Sequence, residues 1–120
     1  MKSMELDHVY YWTTDIDRSV KFYEDVLGLK LRQRNGSTWA EFDGGSVALA
    51  IHQAVEGWPA QPGGATAVFR TADLDAARNE LESRGVEFGH AGEIGEWARY
   101  ATFQDPDGNT LQLIEYREAG

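Results

Sequence analysis

The sequence contains one arrangement of short segments twice, and this repeat limits the possible folds more than any other feature. Asp15-Ile16-Asp17 and Asp73-Leu74-Asp75 lie 58 positions apart. The first Asp of each triplet is a good helix N-cap, and each predicted helix ends at a glycine, Gly28 or Gly85. Strand-like runs precede and follow both helices. A period of about 60 residues is too long for a solenoid unit, so the pattern predicts a duplicated half-domain.

The predicted element order is β-α-β-β-β, a linker and then β-α-β-β-β, which defines an α+β fold. Asn35-Gly36 and Gly44-Gly45 are hairpin signals between consecutive strands of the first copy. We expect one domain over residues 1–120, with a first βαβββ module at 5–52, a linker at 53–64 and a second module at 65–116. The predicted strands are 5–12, 29–34, 37–43, 46–52, 65–71, 86–89, 96–104 and 109–116, and 90–95 is a predicted glycine-rich loop. Two curled mixed sheets of this kind are expected to surround a groove that takes a ligand.

The composition narrows the classes of partner. The chain has 120 residues, with 11 Lys and Arg against 20 Asp and Glu and a formal net charge of −9. Because the basic residues do not cluster, we expect no binding to nucleic acid or to an anionic membrane, whereas an acidic surface favours cationic ligands. The absence of cysteine excludes disulfides, thiolate metal sites and a cysteine nucleophile. No apolar run approaches the ~18 residues of a membrane span, so we expect a cytoplasmic protein.

Several motifs in the two copies resemble those of one superfamily of enzymes and binding proteins. They are Ser19-Val20-Lys21-Phe22-Tyr23, Leu27-Gly28-Leu29, Asp73-Leu74-Asp75-Ala76-Ala77, Trp97-Ala98-Arg99 and Phe103-Gln104-Asp105-Pro106-Asp107-Gly108-Asn109. The Asp-Pro-Asp-Gly run is a turn by its own chemistry, since Pro fixes φ and Gly supplies a positive φ. Within a double βαβββ pattern these motifs resemble the vicinal oxygen chelate superfamily, which includes glyoxalase I, extradiol dioxygenases, fosfomycin-resistance enzymes and bleomycin-resistance binding proteins. The resemblance runs from about Leu6 to Glu115.

The resemblance implies four positions for metal ligands, two in each copy. Counting from the matching motifs places them at His8, Ala50, Thr66 and Gln112. A divalent metal needs about three protein ligands, usually with an anionic one among them. Only His8 matches the ligand type of the family, so we expect neither a metal nor another cofactor. A β-bulge that lets His52 or Glu115 complete a site with His8 is an open alternative.

Aromatic side chains are expected on or beside the strands that line the groove. Trp39 and Trp97 lie near equivalent places in the two copies, so we expect them to clamp a flat ligand, and indole is the best ring for a cation. His8 and Gln112 are expected to hydrogen-bond the ligand, and Arg99 either contacts it or pairs with a surface carboxylate. Core packing is the alternative role for the rings. The predicted ligand-contact residues are His8, Tyr10, Trp12, Trp39, Phe42, Ala50, His52, Thr66, Trp97, Arg99, Tyr100, Phe103 and Gln112.

The sequence thus predicts a metal-free protein that binds a small aromatic or cationic organic molecule, similar to the bleomycin-resistance branch of the superfamily. Members of that superfamily commonly form their grooves between two chains, so we expect a homodimer. A metal-dependent lyase, isomerase or extradiol dioxygenase is the alternative, and a protein that interacts without a small ligand is the third hypothesis. The sequence leaves the ligand, and the occurrence of any catalysis, open.

Overall fold

Each half of the chain forms a four-stranded sheet with a helix packed on one face. The computed structural model describes residues 7–54 and 64–117, which belong to two compact units, Met1–Pro62 and Gly63–Gly120. The first unit contains β1 (His8–Thr13), α1 (Ile16–Lys21), β2 (Leu31–Asn35), β3 (Trp39–Phe42) and β4 (Ala48–Gln53). The second contains β5 (Ala67–Arg70), α2 (Leu74–Ser83), β6 (Ala91–Ile94), β7 (Ala98–Gln104) and β8 (Thr110–Tyr116).

The two sheets have the same topology. Their strand orders are β1-β4-β3-β2 and β5-β8-β7-β6, and in each sheet the first pair is parallel and the other pairs are antiparallel. Helix α1 contacts β3 and β4, and α2 contacts β7 and β8. The prediction of two tandem βαβββ modules with mixed sheets is therefore confirmed. Residues 55–63 of the predicted linker lie outside the described residues, and Gln53 belongs to β4.

Both helices begin as the sequence predicts, with an aspartate as N-cap. Asp15 accepts a hydrogen bond from the Arg18 N–H at 3.2 Å, and Asp73 accepts one from the Ala76 N–H at 3.0 Å. Helix α1 differs from a plain α-helix because it continues as a π-helical segment, Phe22–Val26, before Gly28 ends it with a φ of 74°. The longest described helix, α2, has 10 residues, and no described helix is long and apolar enough to cross a bilayer.

The core of each unit lies between its sheet and its helix. Tyr23 and Phe42 are fully buried in the first unit, with ring centroids 5.5 Å apart. In the second unit the Phe88 and Phe103 rings lie 5.2 Å apart, and Leu111 is fully buried. These contacts fix which face of each sheet is turned to the helix, because side chains of a strand alternate between its two faces.

Seven of the eight predicted strands are found near their predicted places, but the one at residues 86–89 is wrong. The strand is β6, inside the predicted glycine-rich loop, and its Gly92 pairs with Tyr100 of β7. A Cβ on Gly92 would lie 3.1 Å from the Tyr100 hydroxyl oxygen, so the tyrosine ring lies across the glycine. Glycine therefore marks a close cross-strand approach at this position, not a loop.

Candidate functional site

One face of the first sheet, opposite α1, collects five rings. His8, Tyr10 and Trp12 occupy alternate positions of β1, Trp39 begins β3 and His52 lies near the end of β4. The pairing register places Trp12 and Trp39 beside His52, on either side of β4. We call these five residues the aromatic face.

The five rings touch one another in edge-on and tilted geometries. The shortest centroid separation is 4.5 Å, between Trp12 and His52, and His8 meets Trp39 edge-on at 5.4 Å. Tyr10 lies 5.5 Å from Trp39, 5.7 Å from Trp12 and 6.1 Å from both imidazoles. Separations of 4.5–7 Å are those at which aromatic rings attract one another. The sequence-predicted His8, Tyr10, Trp12, Trp39 and His52 are thus brought together.

Ala50 forms the floor beneath these rings. It pairs with Tyr10 of β1 on one side and with Glu41 of β3 on the other, and it is completely buried. Strands β1 and β3 flank β4 and are therefore about 10 Å apart, yet the Tyr10 and Trp39 rings approach to 5.5 Å. The methyl group of Ala50 is small enough to let these rings lean across β4 and meet.

Carboxylates and a backbone carbonyl hold the rings in place. The Trp39 Nε1–H donates to Glu41 Oε1 at 3.3 Å, and His8 Nδ1 lies 2.7 Å from Asp7 Oδ2. His52 Nδ1 lies 2.8 Å from the Gln53 carbonyl oxygen. A carbonyl only accepts, so His52 carries a proton on Nδ1. Exposed π faces beside carboxylates are the features that bind an organic cation or a flat ring.

Glu41 is a residue of the same sheet face that the predicted ligand contacts did not include. Trp39 and Phe42 are three positions apart in one strand, so they point to opposite faces, and Glu41 shares the face of Trp39. This alternation along the strand is the feature of the sequence from which the position of Glu41 could have been predicted. Phe42 was predicted to contact the ligand together with Trp39. The structure corrects this, because Phe42 lies on the α1 side, buried against Tyr23, and not on the aromatic face.

Phe103 and Arg99 lie on the α2 side of the second sheet, which corrects their predicted place in a groove. Phe103 is buried against Phe88. Arg99 Nη2 donates to Asp75 Oδ1 at 2.9 Å, and its Nη1 lies 3.9 Å from Glu115 Oε2. The hydrogen bond from Arg99, and then its charge, hold the pKa of Asp75 below the ordinary aspartate value. Arg99 thus takes the alternative role that the sequence allowed, pairing with surface carboxylates.

The opposite face of the second sheet carries Tyr100 and Gln112. The Tyr100 hydroxyl lies 2.6 Å from His90 Nε2, and Gln112 Nε2 donates to Thr102 Oγ1 at 3.3 Å. Thr66 is exposed and immediately precedes β5. Tyr100, Thr102 and Gln112 do not form a second aromatic face.

Trp97 is not the counterpart of Trp39. Trp39 pairs with His52, two positions beyond Ala50, whereas Tyr100 pairs with Ile114, two positions beyond Gln112. Tyr100 is therefore the residue that matches Trp39, and the predicted symmetrical pair of tryptophans is wrong. Trp97 instead lies in the turn before β7 and stacks on Tyr116, with centroids 6.0 Å apart.

The residues at the four metal-ligand positions do not fit a divalent metal. Ala50 offers only a methyl group, Gln112 offers only a neutral amide oxygen, and neither Thr66 nor His8 supplies a negative charge. Within residues 7–54 and 64–117 no group of three or more His, Asp or Glu side chains converges to hold a metal ion. Glu115 does not rebuild a site with His8, since it lies on the α2 side and accepts a hydrogen bond from the Leu74 N–H, and His52 belongs to no group of three such donors in the described residues.

Comparison with known proteins places this geometry in a family. Residues 5–113 match the model of the Glyoxalase/Bleomycin resistance protein/Dioxygenase superfamily. An uncharacterised protein of Mycolicibacterium smegmatis is 36% identical over 111 residues, which cover 92% of this chain and 93% of that protein.

Two solved structures share the fold over almost the whole chain. The crystal structure of TnmS3, an antibiotic binding protein from Streptomyces sp. CB03234, superposes with a TM-score of 0.80 at 26% identity, covering 98% of this chain and 99% of that one. Lactoylglutathione lyase from Agrobacterium tumefaciens has the same fold, with a TM-score of 0.80 at 18% identity and 96% coverage of both chains. The chain therefore belongs to the Glyoxalase/Bleomycin resistance protein/Dioxygenase superfamily, the vicinal oxygen chelate group that its motifs resemble.

Proposed function

We propose that this chain is a metal-free binding protein whose aromatic face takes a flat aromatic or cationic organic molecule. The observation that carries the proposal is the cluster of five rings with centroid separations of 4.5–6.1 Å on the face opposite α1. Rings that serve only a core are covered by other side chains, whereas Tyr10 at the centre of this cluster is 46% exposed. The exposed area is a surface on which a ligand ring can stack.

The charge around the rings favours a cation. Glu41 places a carboxylate oxygen at the indole of Trp39, and Asp7 places another at His8. A cation over an indole or phenol ring gains about 0.5–2 kcal/mol, depending on how far it is removed from water. The formal net charge of −9 adds a long-range attraction for positively charged molecules.

The similarity to TnmS3, whose description is an antibiotic binding protein, supports the binding role. In such a role the protein lowers the free concentration of a toxic compound without changing it. The metal-dependent enzyme is the weaker alternative, because the donor set His8, Ala50, Thr66 and Gln112 lacks a carboxylate and includes a methyl group. A cytoplasmic location and the absence of a nucleic-acid or membrane partner belong to the same proposal.

The test is a calorimetric titration at pH 8 with two matched probes. One is the cation N-methylquinolinium, added as its chloride, and the other is neutral quinoline. We expect the cation to bind more tightly than the neutral ring. Trp39→Leu and Trp12→Leu should each weaken its binding by several-fold to about tenfold, which corresponds to the loss of one stacking contact. Glu41→Gln should weaken the binding of N-methylquinolinium and leave the affinity for quinoline unchanged.

Phe22→Leu is the matched control, because Phe22 belongs to the π-helical segment and contacts Tyr23 on the other side of the sheet. Binding in this variant should equal that of the unchanged chain. The proposal is wrong if Trp39→Leu and Trp12→Leu both bind the cation as well as Phe22→Leu does. It is also wrong if binding appears only after a divalent metal is added.

A further inference from the structure

The face of the second sheet opposite α2 carries no carboxylate from its own strands. The acidic residues of β5–β8 are Glu93 and Glu115, and both are register partners of Arg99, so they point to the α2 side. Arg70 lies on the opposite face, because it pairs with Ile114, which pairs with Tyr100. The chain has 20 acidic residues, so the positive charge of Arg70 on this face is opposite in sign to the net charge of the protein.

Arg70 lies over a ring and has no acidic partner within residues 7–54 and 64–117. Its guanidinium carbon lies 4.8 Å from the centroid of Tyr116. Among the residues that the structure describes, Arg84, Arg99 and Arg117 of the same unit each pair with a carboxylate, whereas Arg70 makes no ion pair. The N–H groups at the edge of its guanidinium are therefore open to a ligand, while the ring restricts the plane in which they lie.

The rings next to Arg70 form an exposed stacking surface. Tyr116 and Trp97 are 47% and 54% exposed, and their planes differ by only 10°. The backbone supports the indole, since a Cβ on Gly95 would lie 3.1 Å from Trp97 Cδ1. Gly95 has a φ of +55°, which favours glycine at this turn, so the ring is seated on a surface that only glycine provides.

We propose that Arg70, Tyr116 and Trp97 form a second binding site, for a planar aromatic molecule that carries a carboxylate. A guanidinium donates two parallel hydrogen bonds to a carboxylate, a geometry that lysine cannot match. An aromatic ring attached to that carboxylate then stacks on Tyr116 or Trp97. The site lies in the second unit and has the opposite charge preference to the aromatic face, so it does not depend on the function proposed above.

The test uses 2-naphthoate as the probe, with 2-naphthamide as the neutral counterpart and acetate as the carboxylate without a ring. Binding is measured by calorimetry and by the ¹H–¹⁵N resonance of the Trp97 indole, which Trp97→Phe identifies. We expect naphthoate to shift this resonance and to bind more tightly than either other probe. Arg70→Gln should lower naphthoate affinity by about tenfold and remove its advantage over naphthamide.

Further variants separate charge from geometry and from general effects. Arg70→Lys should recover only part of the affinity, and Tyr116→Leu should weaken naphthoate and naphthamide alike. Arg32→Gln is the matched control, since Arg32 is exposed on β2 and shows neither an ion pair nor a ring contact in the described residues. We expect no change in naphthoate binding in that variant.

Three results overturn the proposal. One is an equal loss of naphthoate affinity in Arg70→Gln and Arg32→Gln, which would show a general charge effect. Another is a Trp97 resonance that ignores naphthoate and shifts only on dilution of the protein, which would assign the surface to contact between chains. The third is loss of naphthoate binding in Trp39→Leu with no change in Arg70→Gln, which would place the probe on the aromatic face.

Discussion

Gln53 and Glu115 play the same part in the two units, since each places a side-chain oxygen on the first N–H of its helix. Gln53 Oε1 accepts from the Ile16 N–H at 2.9 Å, and Glu115 Oε1 accepts from the Leu74 N–H at 2.8 Å. Gln53 is the last residue and Glu115 the last but one of the strand that pairs parallel to the first strand of the unit. The contact joins the start of each helix to the sheet beneath it.

Replacing Gln53 should therefore destabilise the first unit. Gln53→Leu removes the bond to Ile16 and a second one, from Gln53 Nε2–H to the Thr14 carbonyl at 2.9 Å. At about 1 kcal/mol for each bond, we expect the free energy of unfolding to fall by about 2 kcal/mol in urea titrations. Gln33→Leu on the exposed β2 is the control and should change it by less than about 0.5 kcal/mol. Equal effects of the two changes would contradict the capping role.

Phe42→Ala tests which face of the first sheet is core. The ring is fully buried against Tyr23, so its removal leaves a cavity and should cost about 3–5 kcal/mol. Tyr10→Ala, on the aromatic face and 46% exposed, should cost clearly less. Thermal unfolding followed by circular dichroism compares the two variants. A Phe42→Ala protein as stable as Tyr10→Ala would reverse the assignment of the faces.

The Asp75–Arg99 pair should contribute stability that disappears in acid. Arg99 lowers the pKa of folded Asp75, so the contribution is present above the unfolded pKa and is lost as the pH falls through the folded one, below about pH 4. The difference in Tm between the unchanged chain and Asp75→Asn should be constant above pH 5 and shrink below pH 4. It should be small, because the Asp75 side chain is 70% exposed. A difference that grows toward low pH would contradict the sign.

The purified protein should contain far less than one divalent metal ion per chain. The reason is the donor set described above, in which Ala50 and Thr66 stand where two further ligands would be needed. Elemental analysis after purification without chelators measures the content, and added Zn²⁺ or Ni²⁺ should not raise Tm. His8→Ala should leave both results unchanged. Close to one Zn, Ni, Mn or Fe per chain would refute the metal-free proposal.

We also expect the chain to be a homodimer in solution. The expectation follows from the superfamily, whose members commonly form their grooves between two chains, and Val68, an apolar side chain that is 50% exposed on the second unit, offers a position at which to test it. Light scattering coupled to size exclusion should give twice the chain mass of 13.4 kDa at micromolar concentration. Val68→Asp should lower the measured mass toward one chain. A single-chain mass for the unchanged protein would rule the dimer out.

The element pattern was predictable because short-range chemistry fixes it. Asp15 and Asp73 cap helices by hydrogen bonds within one turn, and Gly28 ends the first helix through its own φ of 74°. Strand β6 could not be found in this way, since it is defined by its pairing with β7, which places Gly92 beside Tyr100. That contact joins residues on two strands, and only the folded sheet brings them together.

The five ring residues of the aromatic face could be predicted from the sequence, but the residues that lie beside functional side chains in the folded protein could not. His8, Tyr10 and Trp12 alternate in sequence and therefore share a face wherever β1 lies. Trp39 and Phe42 were both expected in the groove, but residues three positions apart in a strand point to opposite faces of the sheet. Arg70 could not be identified from the sequence, because its guanidinium lies over the ring of Tyr116, which is 46 positions further along the chain.

The spacing between equivalent residues records how the two halves have diverged. Asp15 and Asp73 are 58 positions apart, Phe42 and Phe103 are 61 apart, and Gln53 and Glu115 are 62 apart. The added residues fall in the segments between these anchors, so the two copies have changed length while each strand has kept its inward and outward sides. The same scaffold thus carries two different surfaces among its described residues, one with aromatic rings and carboxylates and the other with the guanidinium of Arg70. A duplicated protein of this kind can change what one half recognises without risking the packing of either helix.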